Sequence, residues 1–475
     1  MVNESTLYQP IRELARKIRA RQLSPVELAE AYLERSERLG PKFNAYVTIT
    51  RDLAMQQARA AEKEIAAGHY RGPLHGIPYA AKDLVAVKDY PTTWGAKPYA
   101  DQKFEFNATI VERLNAAGAV LIGKAAMIEL AGGLGYETGY ASLTGPCRNP
   151  WNPEHWTCGS SSGSGAIMAA GLAAFALGSD TRGSIICPST NCGVSGMRPS
   201  FGRVSRYGAM AIAWSMDKLG PMARTADCCG LVLAAIAGHD PKDHDSVLDG
   251  AFAYDGATPK LPRGLRIGRL TNVFKKAPAE VNQAVDDALR VMEKAGAKVS
   301  DAAVPDGPYE EASELVILIE AASAFHDLIQ SGRCAELADA HGQVNGYASL
   351  EFSAADYLHI QRVRTFLQER IDKLFDEFDV LVAAGEDRPE GVLKPPQESH
   401  VEEEGEEPIE SAQPDGISSL CGLPAVVVPC GFSKEEIPLG VQFMGRAMND
   451  EICITAGNLF QAHSDWHTRR PTIAQ

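Results

Sequence analysis

Leu28, Ala31, Tyr32 and Leu39 recur at helical spacing with Glu, Arg and Lys between them, the pattern of an amphipathic helix lying on a larger body. Just ahead, Ser24-Pro25-Val26-Glu27 offers a cap hydroxyl, a proline at the first helical position and a glutamate that can close a capping box, so the helix is expected to start there. Short apolar runs further along read as buried strands: AVLIG at 119–123, LRIG at 265–268, FDVLVAA at 378–384 and PAVVVPC at 424–430. Between them, Val281, Val285, Leu289 and Met292 share one face of a helix expected over 278–297, with Pro278 near its start and Gly296 at its end. The small-residue run 165–178, GAIMAAGLAAFALG, reads as a buried helix, shorter than the roughly 20 residues a membrane crossing needs. Buried strands alternating with amphipathic helices predict an α/β protein built on a largely parallel or mixed sheet.

Two stretches break the pattern. Residues 240–264 are rich in Asp, Gly and Pro and read as a long surface connection between two halves of one sheet or two lobes. Residues 394–412 hold seven glutamates and almost no apolar anchor, which predicts a mobile, solvated loop with a lid or docking role as its functional alternative.

Composition narrows the class of function. The chain has 475 residues, 45% hydrophobic and 23% charged, enough for an ample core. A formal net charge of −15 repels phosphate backbones and anionic lipid, so neither nucleic acid nor membrane is expected as a partner. The first residues show no secretory pattern, which points to the cytoplasm. Ten cysteines in such a chain are expected as reduced thiols, and without CxxC or HExxH spacing no metal is expected.

The chemistry concentrates in two Ser/Gly clusters. GSSSGSG at 159–165 has linker composition, but it feeds an apolar small-residue helix, so its N–H groups and hydroxyls converge on one point. GSDTRGS at 178–184 turns into Ile185-Ile186-Cys187-Pro188 and can form a nest of main-chain donors, which acyl transfer needs where negative charge develops. A serine hydroxyl needs a nearby base, and neither cluster holds a histidine. Lys82 lies in the apolar run GIPYAAKDLV at 76–85, where burial lowers a lysine pKa and makes a neutral amine available.

Together with NPW at 149–151, GRVSRYG at 202–208, CGLPAVVVPCGF at 421–432 and PLGVQFMGR at 438–446, these segments resemble the amidase-signature family over nearly the whole chain. The resemblance implies a single α/β/α domain over 1–475 with a large central mixed sheet covered by helices: N-terminal helices in 1–65, a catalytic core segment in 66–240 and the acidic loop 394–412. It implies Ser184 as nucleophile, Lys82 as general base and Ser160, after a cis peptide at Gly159, as the relay between them. The N–H groups of Thr181, Arg182, Gly183 and Ser184 would form the oxyanion hole, with Asp180 and Ser161 in support and no cofactor. Arg182 and Ile186 depart from the glycine and arginine of many members, and Ser162 from a common glycine, which bears on substrate preference more than on chemistry. Met127, Gly132, Gly133 and Tyr136 are expected to line an acyl pocket.

The expected activity is that of a stand-alone amidase hydrolysing a small aryl or alkyl amide, or an ester or carbamate as a urethanase would, as a monomer or homodimer. The alternative is the glutaminase subunit of a tRNA-dependent amidotransferase. It is set lower because its glycine- and arginine-rich segment before 353–377 is missing and FDVLVAAGEDRPE departs from the usual threonine-proline ending. A non-catalytic scaffold on the same fold is the third reading.

Overall fold

The structure, a computed structural model, describes residues 2–137, 139–248, 252–256, 264–393 and 413–473. The acidic run 394–412 and part of 240–264 lie outside the described residues.

Eleven strands form one continuous sheet: β1 (Tyr46–Ile49), β2 (Pro78–Lys82), β3 (Val120–Ala125), β4 (Phe175–Asp180), β5 (Ser195–Arg198), β6 (Lys218–Ala223), β7 (Arg266–Leu270), β8 (Lys298–Ala302), β9 (Val380–Ala384), β10 (Ala425–Phe432) and β11 (Pro438–Gly445). They run in the order β1-β3-β2-β4-β6-β5-β10-β11-β9-β7-β8. β2 is parallel to β3 and β4, and β7 is parallel to β8 and β9, while β4–β6, β5–β6, β10–β5 and β10–β11 are antiparallel, so the sheet is mixed. Every residue of β2, β3, β4, β6, β9 and β11 is buried, which requires helices on both faces and explains why the sequence shows apolar runs instead of alternation. This is the α/β/α architecture expected from the sequence.

The helix expected at Ser24 spans Pro25–Phe43, and the Ser24 hydroxyl accepts from the N–H groups of Val26 and Glu27. The helix expected over 278–297 spans Ala279–Lys294 with Val281, Val285, Leu289 and Met292 buried. The run 165–178 needs correction, because the helix Ser162–Ala170 ends at Gly171, whose φ of 67° closes it, and the chain re-enters the sheet as β4. Small apolar residues suit a buried helix and a central strand alike, and only the left-handed turn at Gly171 separates them. A second correction concerns the cysteines: Cys158 and Cys187 form a disulfide, and the other eight are free and buried. Residues 29 positions apart are joined because the fold stacks the two Ser/Gly clusters. No helix among the described residues is long and apolar enough to cross a membrane.

Candidate active site

Lys82 is the last residue of β2, and Asp180 is the last of the neighbouring parallel strand β4, so both clusters open at the same end of the sheet. The first cluster follows a turn through Cys158 and enters the helix Ser162–Ala170; the second leaves β4 and enters the helix Ile186–Cys192.

Lys82 is fully buried, and its Nζ lies 2.7 Å from Ser160 Oγ, 2.8 Å from Ser179 Oγ and 3.0 Å from Ser161 Oγ. An ammonium donates to all three hydroxyls; a neutral amine donates to two and accepts the third proton through its lone pair. Burial lowers the Lys82 pKa from 10.5 to about 7, against the opposing pull of Asp180 and Asp217. The lysine is therefore poised between its two protonation states near neutrality, the condition for a general base. Gly159–Ser160 is a cis peptide, as the resemblance implied. Ser161 completes the contact by donating its N–H to the Ser184 carbonyl at 3.3 Å. Among the described residues the Ser184 hydroxyl has no hydrogen-bond partner, and Ser184 lines an open cavity of about 430 Å³.

The loop around Ser184 is braced by Asp180. Its carboxylate accepts from the N–H groups of Gly183 and Ile185, both at 2.8 Å, and more distantly from Ile186 at 3.4 Å. Burial would raise the Asp180 pKa, but Arg198, Lys218 and the backbone donors outweigh it and hold the carboxyl below its ordinary value. Arg198 is itself fully buried, 3.6 Å from Asp180 and 3.1 Å from Asp415. Gly183 has a φ of 93°, and a Cβ there would stand 2.7 Å from an Asp415 carboxylate oxygen, so only glycine fits. Its N–H is given to Asp180, so of the four expected oxyanion donors those of Thr181, Arg182 and Ser184 are the ones without such an acceptor among the described residues. The Thr181 hydroxyl donates to Asp217 at 2.6 Å, fixing the first of these.

Of the residues expected to line an acyl pocket, Gly132, Gly133 and Tyr136 border the cavity with Thr181, Arg182, Gly183 and Ser184. Met127 does not. It is 1% exposed and belongs to the hydrophobic core, because the chain turns after it so that Gly132 and its neighbours reach the opening. The Arg182 guanidinium pairs with Glu310, so this departure from glycine ties the loop of Ser184 to the helix Tyr309–Ala324.

Several site residues were not found from the sequence. Ser179, the third contact of Lys82, stands inside GSD, where its neighbour Asp180 carries the more obvious chemistry. Asp415 and Glu386 reach the cavity from segments more than 200 residues away, and nothing in their local sequence marks them. Burial first, and then the charges of Asp415 and Glu390, raise the Glu386 carboxyl well above its ordinary value, and burial raises Glu390 to about 7. Among the described residues the metal-type donors that close up are Cys158, Cys187 and Glu390, within 4.8 Å, and their two sulfurs are bonded to each other.

Comparison with known proteins supplies the family. A family model described as Amidase matches residues 27–454. The chain is 36% identical over 504 residues to the A subunit of the glutamyl-tRNA(Gln) amidotransferase of Cupriavidus taiwanensis, covering 98% of each chain. The solved peptide amidase of Stenotrophomonas maltophilia superposes with a TM-score of 0.87 at 29% identity, covering 98% of this chain and 99% of that one. The solved A subunit of the same amidotransferase from Thermotoga maritima shares the fold, with a TM-score of 0.79 and 23% identity over the whole of both chains. Full-length similarity to amidotransferase A subunits overturns two expectations: a stand-alone amidase for small amides, esters or carbamates, and a partner set of small molecules without nucleic acid. The departures that had favoured them, near 340–390, lie outside both Ser/Gly clusters. An enzyme acting on C–N bonds as an amidohydrolase or amidotransferase, this chain belongs to the amidase-signature family.

Proposed function

We propose that the chain is the glutaminase subunit of a tRNA-dependent amidotransferase, releasing ammonia from the side-chain carboxamide of glutamine for use at a partner subunit. The observation that carries this reading is 36% identity to amidotransferase A subunits across essentially their whole length. A net charge of −15 does not oppose it, since charge bounds only the surfaces that touch phosphate, and a partner protein can hold the RNA. The whole chain acts as one domain, in the cytoplasm where aminoacyl-tRNA is used.

In this mechanism Ser184 Oγ attacks the glutamine carboxamide carbon and passes its proton to Ser160, whose own proton moves to neutral Lys82. The oxyanion forms beneath the Thr181, Arg182 and Ser184 N–H groups, on a loop held by the Asp180 and Asp217 carboxylates. Collapse returns the proton through Ser160 to the leaving nitrogen, and ammonia departs. Water then resolves the glutamyl-enzyme by the same route. Asp415, Glu386 and Glu390 line the cavity with carboxyl groups that burial holds towards their neutral forms, and the α-ammonium group of a free amino acid bound there would favour their ionised forms.

Reconstitution tests the proposal. The chain is combined with the partner subunits of its own organism, glutamine and misacylated Glu-tRNA(Gln), and both glutamate release and amidated tRNA are measured. Turnover that requires the partners and vanishes with Ser184→Ala supports the reading; no glutamine turnover in any mixture refutes it.

A further inference from the structure

The two catalytic loops are joined covalently. Cys158 immediately precedes the Gly159–Ser160 pair and Cys187 lies three residues beyond Ser184; their disulfide brings the Cα atoms to 5.8 Å. The main-chain tie between the two loops is long, Ser161 N–H to the Ser184 carbonyl at 3.3 Å, while Ile128 N–H holds the Ser160 carbonyl at 3.2 Å and Lys82 Nζ holds the Ser160 hydroxyl at 2.7 Å. Cys187 is in turn fixed to the second loop, donating its N–H to the Gly183 carbonyl at 2.8 Å. The disulfide therefore bears directly on the peptide units that carry Ser160 and Ser184. Cys158 also has a φ of 62°, a conformation glycine takes at less cost, so the sulfur and not the backbone accounts for a cysteine there. All ten cysteines are buried, but only these two are joined in a disulfide, and both border the cavity.

We propose that the Cys158–Cys187 disulfide is a redox-sensitive positioning brace, which keeps Ser160 and Ser184 in register, and that a dithiol entering the cavity converts the site to a slower form. A thiolate of the dithiol attacks Cys158 Sγ and forms a mixed disulfide, and Cys187 leaves as thiolate. Asn191 Nδ2, 3.5 Å from Cys187 Sγ, and the Glu390 carboxyl, 3.7 Å from it, stand where they stabilise and protonate that thiolate. The second thiol of the reductant then closes its own disulfide and releases Cys158. Two electrons and two protons pass from the dithiol to the cysteine pair, and a disulfide oxidant reverses the exchange. The backbones of the two loops are then joined directly by the 3.3 Å Ser161–Ser184 hydrogen bond, with Lys82 holding only the side chains of Ser160 and Ser161, and a displacement near 1 Å at reacting atoms slows catalysis by about 10²-fold.

The proposal goes beyond the glutaminase reading and uses only its assignments of Ser160 and Ser184. Full-length protein purified without reductant is denatured and its thiols counted, with eight of the ten cysteines expected to react before reduction and all ten after. The rate of Ser184 labelling by a phosphonofluoridate is then measured on oxidised, dithiothreitol-reduced and re-oxidised protein. Reduction should slow labelling by about 10- to 100-fold with unchanged far-ultraviolet circular dichroism, and re-oxidation should restore it. The folded Cys158→Ser/Cys187→Ser variant should be slow and indifferent to reductant. Ten thiols before reduction, equal rates in both states, or loss of the fold together with the rate would each overturn the brace. Absence of labelling in every state would fail the serine assignment instead, and the same comparison of glutamine turnover in the reconstituted complex then decides the brace.

Discussion

The pH dependence of acylation isolates the role of Lys82. Burial lowers its pKa from 10.5 to about 7, a difference worth about 5 kcal/mol between the charged and neutral forms. Only the neutral amine accepts the proton from Ser160, so the rate should follow the neutral fraction: about 10% at pH 6, half at pH 7 and about 90% at pH 8, then flat. An unperturbed lysine would be neutral in only about 0.03% of molecules at pH 7 and would still be gaining rate tenfold per unit at pH 9. Asp217 opposes the shift, so Asp217→Asn should move the midpoint to lower pH. The assay is the rate constant for Ser184 phosphonylation between pH 5 and 10, with Lys82→Ala as control. A midpoint near 10, or a Lys82→Ala profile matching wild type, would refute the reasoning.

Removing the Asp180 carboxylate by Asp180→Ala frees the Gly183 and Ile185 N–H groups and leaves buried Arg198 with less negative charge, so stability should fall by about 3–5 kcal/mol in a denaturant melt. Gly183→Ala must place a Cβ 2.7 Å from Asp415 at a φ of 93°, costing about 1–3 kcal/mol; acylation should drop more than tenfold while the protein stays folded by circular dichroism. Lys124 and Asp83 form a fully buried ion pair at 2.9 Å. Lys124→Met alone should destabilise by about 3–5 kcal/mol and Lys124→Met/Asp83→Asn by much less, because only the single variant strands a charge; equal losses in a melt would contradict this.

How far the sequence could be read depended on whether each signal was local. Lys82, Ser160 and Ser184 sit in short segments whose chemistry is self-contained, and β3, β7, β9 and β10 show themselves as apolar runs because a covered sheet favours apolar side chains. Met127 was misplaced because composition cannot say which side of a turn faces the cavity, and Gly183 because its N–H looks free until Asp180 folds back onto it. The Cys158–Cys187 bond, the Arg182–Glu310 pair and the approach of Asp415 are products of tertiary stacking, across separations that no periodicity encodes. The amidase chemistry was legible, but the choice between a free amidase and one part of a complex was not. That choice is made on surfaces, and a few departures near 340–390 do not decide it.

The most direct test of the catalytic account is to find where an electrophilic glutamine analogue attaches, by intact mass and peptide mapping of the treated chain. A single adduct on Ser184, formed at a rate that collapses in both Lys82→Ala and Ser160→Ala, is the expected result. An adduct on another residue, or one on Ser184 whose rate ignores both substitutions, would contradict the account.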